Sequence, residues 1–175
     1  MLIQRLKEAP YWQAYFLKLH QDSQAGQPME ALFTDILCPA GMEEVCQPES
    51  RNRIHFAVRM KTDMRLIGFV GFDWIYWNDH CGDLLIAIGD GNYLGKVELE
   101  LIQKLSYYGF HELNLHRIEC YVSQFEFEME KNLITAGYLK EVTFREAEYF
   151  LNSYWDRFAY GLLRSEWIQK LESES

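Results

Sequence analysis

No run of about 18 apolar residues occurs in the 175-residue chain, so the sequence offers no helix able to span a bilayer. The opening stretch MLIQRLKEAPYW is broken early by Lys7 and Glu8 and has no apolar core of signal-peptide length. Cysteine is scarce: Cys38, Cys46, Cys81 and Cys120 show no Cys-x-x-Cys spacing. His80 beside Cys81 is the only Cys/His neighbour pair, and two adjacent side chains seldom point at one metal. The cysteines therefore read as structural thiols rather than disulfides or metal ligands, which fits a reducing cytoplasm. Basic residues are also in deficit, 17 against 26 acidic, for a formal charge of −9. Nonspecific binding to nucleic acid needs clustered Lys and Arg against phosphates, so that class is excluded. An acidic surface suits cationic partners, and equally it keeps a protein in solution.

What is present is apolar and aromatic. With 49% apolar, 25% charged and 15% aromatic residues, the composition is globular, and the length is that of one compact domain over 1–175. The aromatics gather in runs such as FDWIYW and YFLNSYW, suited to a core, a dimer contact or the wall of a cleft that attracts a cationic amine. A homodimer is compatible with that richness.

The periodicity predicts an order of elements. KEAPYWQAYFLKLHQ sets Trp12, Tyr15, Phe16 and Leu19 at helical spacing, and PMEALFTDIL reads as a second short helix with Pro28 near its first turn. Residues 38–52 form a loop with two prolines and a glycine. IHFAVRM alternates as a half-buried strand and, across the turn KTD, pairs with RLIGFVGF as a hairpin. DLLIAIGD is a continuous apolar run of strand length, covered on both faces. Apolar positions 97, 101, 102, 105 and 108 mark an amphipathic helix ending near Gly109. RIECYVS is a strand with Ile118, Cys120 and Val122 on one face. Phe125 to Ala136 is helical, with Gly137 as a left-handed cap. Two strands follow, around YLKEVTF and RFAYGLL, joined by an irregular aromatic segment, and LESES is an acidic tail expected to fray. The fold class is α/β (α+β): a mixed, largely antiparallel sheet of six to seven strands flanked by about four helices. The helices after DLLIAIGD require crossovers and at least one parallel pair. The chain divides into a helical, acceptor-side segment (1–52), a core (53–167) and the frayed tail (168–175).

The stretches IGDGNYLGK, LSYYGFHELNLHRIECYV and AGYLKEVTFREAEYFLNSYWDRFAYGLLRSEW together resemble the GNAT superfamily of acetyl-coenzyme A dependent acetyltransferases. They look most like its RimJ/RimL branch of ribosomal-protein N-terminal acetyltransferases. The resemblance runs from about Ile54 to Trp167; FHELNLHRI and WDRFAYGLLRSEW are its most specific parts. The usual first strand of that family has only Leu2 to Leu6 as its candidate here. The resemblance implies acetyl-CoA as co-substrate, with no metal. Its pyrophosphate would lie on the loop and helix start at Tyr93, Leu94, Gly95, Lys96, Val97, Glu98 and Leu99, and its pantetheine arm along Ala87 and Ile88. A helix start is suited to an anion because its first N–H groups lack partners and carry the positive dipole end.

Departures from the family's pattern are concentrated there. Val97 and Leu99 stand where the family has glycines, and Glu98 and Glu100 add carboxylates. If they point inward, each would cost roughly 1 to 4 kcal/mol beside a phosphate about 4 Å away. Glu126 takes the place of an asparagine that helps hold the coenzyme, and Leu133 that of a tyrosine that protonates the departing thiolate. Tyr121 or Tyr138 could replace that tyrosine, or the thiolate could leave unassisted. Asp83 falls where relatives often carry Glu and is the expected general base; alternatively it merely caps a strand after the turn NDHCGD. His80 is either a second base or a solvated turn residue. The oxyanion donor is expected to be a backbone N–H near Ile88, on a strand that splays from its neighbour. Two functions follow: N-acetyltransfer to a primary amine by direct attack in a ternary complex, or a degenerate module that keeps the fold without the activity.

Overall fold

The computed structural model describes residues 31–35, 52–60, 66–88 and 97–173. Among these residues seven strands, β1 (Ala31–Asp35), β2 (Ile54–Met60), β3 (Leu66–Tyr76), β4 (Cys81–Ile88), β5 (Arg117–Ser123), β6 (Leu139–Phe150) and β7 (Ser153–Leu163), form one sheet in the order β1-β2-β3-β4-β5-β7-β6. Every neighbouring pair is antiparallel except β4–β5, the parallel pair that the crossover requires. The helices are α1 (Glu98–Tyr107), which continues as a π-helical turn over Tyr108–Glu112, α2 (Phe127–Ala136) and α3 (Arg164–Ser173).

One face of the sheet carries the core. Val58, Val70, Phe72, Leu84, Ile88, Ile118, Cys120 and Val122 are buried there with Leu101, Ile102 and Leu105 of α1 and Leu133 of α2. Partners across rungs share a face, so Phe72 opposite Leu84 and Gly82 opposite Ile118 carry this surface across the sheet. The α2 helix ends as its sequence predicts, with Gly137 left-handed at φ 102°.

Four expectations need correction. The short helix predicted over 28–37 is instead β1, paired with β2 from Ala31↔Met60 to Asp35↔Phe56. Leu, Phe and Thr suit a pleated edge, and five residues gain more from the free hydrogen-bonding edge of β2 than from a single helical turn. The α1 helix does not stop at Gly109: the π turn carries it to Glu112, and Gly109 is buried within it. A Cβ on Gly109 would lie 2.7 Å from Phe72 Cζ and 2.8 Å from Ile118 Cδ1, so this glycine serves close packing rather than capping. The aromatic segment before the last strand is not irregular coil. It extends β6 and β7 to a tight turn at Leu151 and Asn152, both at positive φ, with ladder shifts at Lys140/Val142 and Phe144/Glu148. The tail is helical through Ser173, because Trp167 packs on Phe110 at 5.3 Å and Glu166 accepts the Leu163 N–H at 2.9 Å. The predicted stripe around Trp12, the strand candidate Leu2 to Leu6 and most of the 38–52 loop lie outside the described residues.

Candidate active site

The β4 strand is held by β3 along its whole length, from Tyr76↔Cys81 to Gly68↔Ile88. On its other side it pairs with β5 for three rungs only: Cys81↔Arg117, Gly82↔Ile118 and Asp83↔Glu119. β5 then continues along β7 as far as Ser123↔Arg157. Past Asp83 and Glu119 the two strands diverge, and the β4 backbone from Leu84 to Ile88 has no partner in β5. The splay expected of this strand is present.

Asp83 stands at the mouth of that opening, half-buried, on the sheet face opposite the core, with Trp74 as its β3 partner. It is the third residue of β4, inside the ladder rather than at the end of the preceding turn. Among the described residues its carboxyl group has no hydrogen-bond or ion-pair partner. Burial, the Glu119 carboxylate and the Asp73 carboxylate push its pKa up to about 6. Glu119 was not singled out by the sequence, although Arg117, Glu119 and Tyr121 alternate with the buried Ile118, Cys120 and Val122, which puts all three on the open face.

The coenzyme residues divide into groups. Tyr93, Leu94, Gly95 and Lys96 lie outside the described residues. Ile88 is buried in the core, so only its backbone can face a ligand; Ala87 is half-buried on the Asp83 face, opposite Phe69. Val97 is buried and caps α1 by position, with no side-chain capping bond. Leu99 is half-buried against the core. Glu98 points inward: it is only 4% exposed, and its Oε2 accepts a hydrogen bond from Asn132 Nδ2 of α2 at 3.2 Å. Glu100 points outward and pairs with Lys104 at 2.5 Å. Glu126 is folded back on its own turn, its Oε2 accepting the Ser123 N–H at 2.8 Å while its N–H donates to the Ser123 carbonyl at 2.9 Å.

The two tyrosine substitutes are told apart. Tyr138 is buried in the core, shares a 2.9 Å hydrogen bond with Ser106, and has its pKa pushed far up by burial, so it cannot serve the opening. Tyr121 is on the Asp83 face, its hydroxyl donating to Glu119 Oε2 at 3.1 Å. Leu133 is fully buried core. His80 is exposed in the Trp77–His80 turn at φ 52°, and its carbonyl accepts the His116 N–H at 2.7 Å, which ties the start of β4 to β5. In FDWIYW, Phe72 and Ile75 are buried, whereas Trp74 and Tyr76 line the Asp83 face.

No protein-family profile matches the chain. Over 117 residues it is 28% identical to the uncharacterized N-acetyltransferase YnaD of Bacillus subtilis (strain 168), a match covering 66% of this chain and 68% of that protein. Over 112 residues it is 29% identical to the uncharacterized N-acetyltransferase p20 of Bacillus licheniformis, covering 64% and 63% of the two. Among solved structures, the spermidine/spermine N-acetyltransferase SpeG from Vibrio cholerae superposes with a TM-score of 0.64 at 21% identity, over 70% of this chain and 71% of that one. The architecture is the GNAT fold. Asp83 flanks the opening between β4 and β5. One SpeG structure holds manganese ions. Among the described residues of this chain, no three His, Cys, Asp or Glu side chains cluster to hold a metal, and no helix is long and apolar enough to cross a membrane.

Proposed function

We propose that the protein transfers an acetyl group from acetyl-coenzyme A to a primary amine by direct attack in a ternary complex, with Asp83 as general base. The observation that carries this reading is the end of the β4–β5 ladder at Asp83 and Glu119, which leaves a half-buried, unpartnered carboxyl group beside an open strand edge. An acceptor amine arrives as an ammonium ion, and Asp83 takes its proton so that nitrogen has a free pair. Acetyl-coenzyme A supplies the activated thioester carbonyl. Backbone N–H groups of β4 beyond Asp83 face the opening and would receive the developing oxyanion. The thiolate, with a solution pKa near 8.5, leaves without a dedicated acid, so the absence of a tyrosine at Leu133 is tolerable. Trp74 and Tyr76 offer ring faces to a cationic acceptor. Spermidine, which SpeG acts on by name, and a protein N-terminus, which the RimJ/RimL resemblance implies, are the acceptors to try first.

The buried Glu98 favours a second reading, a GNAT-fold module with weak or no coenzyme binding, because its carboxylate points inward at the α1 start. A thermal-shift titration separates the two. Acetyl-coenzyme A at 100 times its dissociation constant stabilises the fold by about 2.7 kcal/mol. A flat melting temperature at millimolar coenzyme leaves only the second reading.

A further inference from the structure

Resting on the proposed role of Asp83, the inference concerns the residue opposite it. Neighbouring strands lie about 4.8 Å apart and rung partners point to the same face, so Glu119 is the nearest charge across the last rung from Asp83. A surface glutamate would swing away from a second carboxylate. Glu119 is held in place instead. Its Oε1 accepts from Arg117 Nε at 2.6 Å and its Oε2 from the Tyr121 hydroxyl at 3.1 Å. Arg117 in turn grips Glu141 of β6 with both terminal nitrogens, Nη1 at 2.9 Å. The clamp lies across Gly161 of β7, where a Cβ would sit 2.6 Å from both Arg117 Nη2 and Glu141 Oε1. One guanidinium is thus shared between two carboxylates.

The groups facing Asp83 are Asp73 from β3, Cys81 on its own strand, and Arg117, Glu119 and Tyr121 from β5. Asp73 is itself drawn toward His55 of β2 at 3.6 Å and toward Arg53, and both lower its pKa. Among the described residues no cation pairs with Asp83, since Arg117 is turned to Glu119 and Glu141, and the carboxylate that acts on it most strongly is the clamped one. We infer that Glu119 is a positioning residue: fixed by Arg117 and Tyr121 and never touching substrate, it makes Asp83 a base that works near neutral pH. A carboxylate of ordinary basicity accepts an ammonium proton poorly; burial strengthens Asp83 most, and a like charge at strand distance strengthens it further.

The test is a carbon-13 NMR titration of the Asp83 carboxyl in the wild-type, Glu119→Gln and Asp73→Asn proteins, with Asp83→Asn for assignment. In Glu119→Gln the midpoint should fall by about one pH unit from about 6. The acid limb of the kcat/KM profile should move the same way, and Asp73→Asn should move the midpoint less. An unmoved midpoint in folded Glu119→Gln, or a larger shift from Asp73→Asn, overturns the inference. If Glu119→Gln does not fold, Tyr121→Phe takes its place: the midpoint should fall by less than a unit, and no change overturns the inference. Retained turnover in Asp83→Asn would refute the base assignment separately, since the titration needs no turnover.

Discussion

Glu98 and Asn132, both buried, join the first turn of α1 to α2 through a 3.2 Å hydrogen bond. A carboxylate in the first turn of a helix is favoured by the positive end of its dipole, which is the same field that would hold a diphosphate. Glu98 therefore places a carboxylate at the start of α1, where the GNAT resemblance implies the coenzyme's diphosphate.

Replacing Glu98 by Gln keeps an acceptor for Asn132 and removes the charge. Two like charges about 4 Å apart repel by roughly 1 to 4 kcal/mol between the water and protein-surface limits. Isothermal titration should show acetyl-coenzyme A bound about tenfold more tightly, or better, by Glu98→Gln. Weaker binding would mean that this carboxylate organises the site rather than competing in it.

Asp83→Asn should abolish most turnover and at the same time stabilise the fold at neutral pH. The sign follows from proton linkage. Asp83 is raised from 3.8 to about 6, so the folded state binds more protons than the unfolded one between those values. Its contribution to stability is complete below pH 3.8 and is lost as pH rises through about 6. The variant's melting temperature should exceed that of the wild type above pH 6 and converge with it below pH 4, as a pH series of melts would read out. Equal melting temperatures at pH 7 would contradict the raised value.

Leu133→Tyr places a tyrosine at the position where the GNAT resemblance implies a proton donor, but inside the core. Leu133 is fully buried in the core, so the added ring and hydroxyl should cost about 1–3 kcal/mol. A lower denaturation midpoint with no gain in kcat is expected; a gain would show that the core admits the opening there.

Gly109→Ala drives a methyl into Phe72 Cζ and Ile118 Cδ1, at 2.7 and 2.8 Å. A loss of about 1–3 kcal/mol is expected by denaturant unfolding, and Phe72→Leu in the same chain should recover part of it. Additive losses in the double variant would place the strain elsewhere.

Local patterns were legible wherever one residue's neighbours in sequence decide its environment. Ile118, Cys120 and Val122 alternate into the core, and Gly137 takes the left-handed cap, since period and backbone preference are properties of a few consecutive residues. Asp83 was singled out by resemblance, as the expected general base. Glu119 was not, because its importance lies in a partner 36 positions away on a neighbouring strand, brought opposite it only by the parallel crossover. The Glu126 side chain accepts the Ser123 N–H of its own turn, a contact that spacing alone did not suggest.

The sequence by itself determined the mixed α/β class, the strand periods, the helix on Leu101, Ile102 and Leu105, and the shortage of cationic side chains. Those depend on composition and local spacing. Tertiary structure alone decided that 31–35 pairs as a strand, that Gly109 packs rather than caps, that Glu98 turns inward, and that Asp83 lies opposite Glu119. Each depends on what a distant part of the chain places alongside, and burial and like charge act through space without regard to separation along the chain.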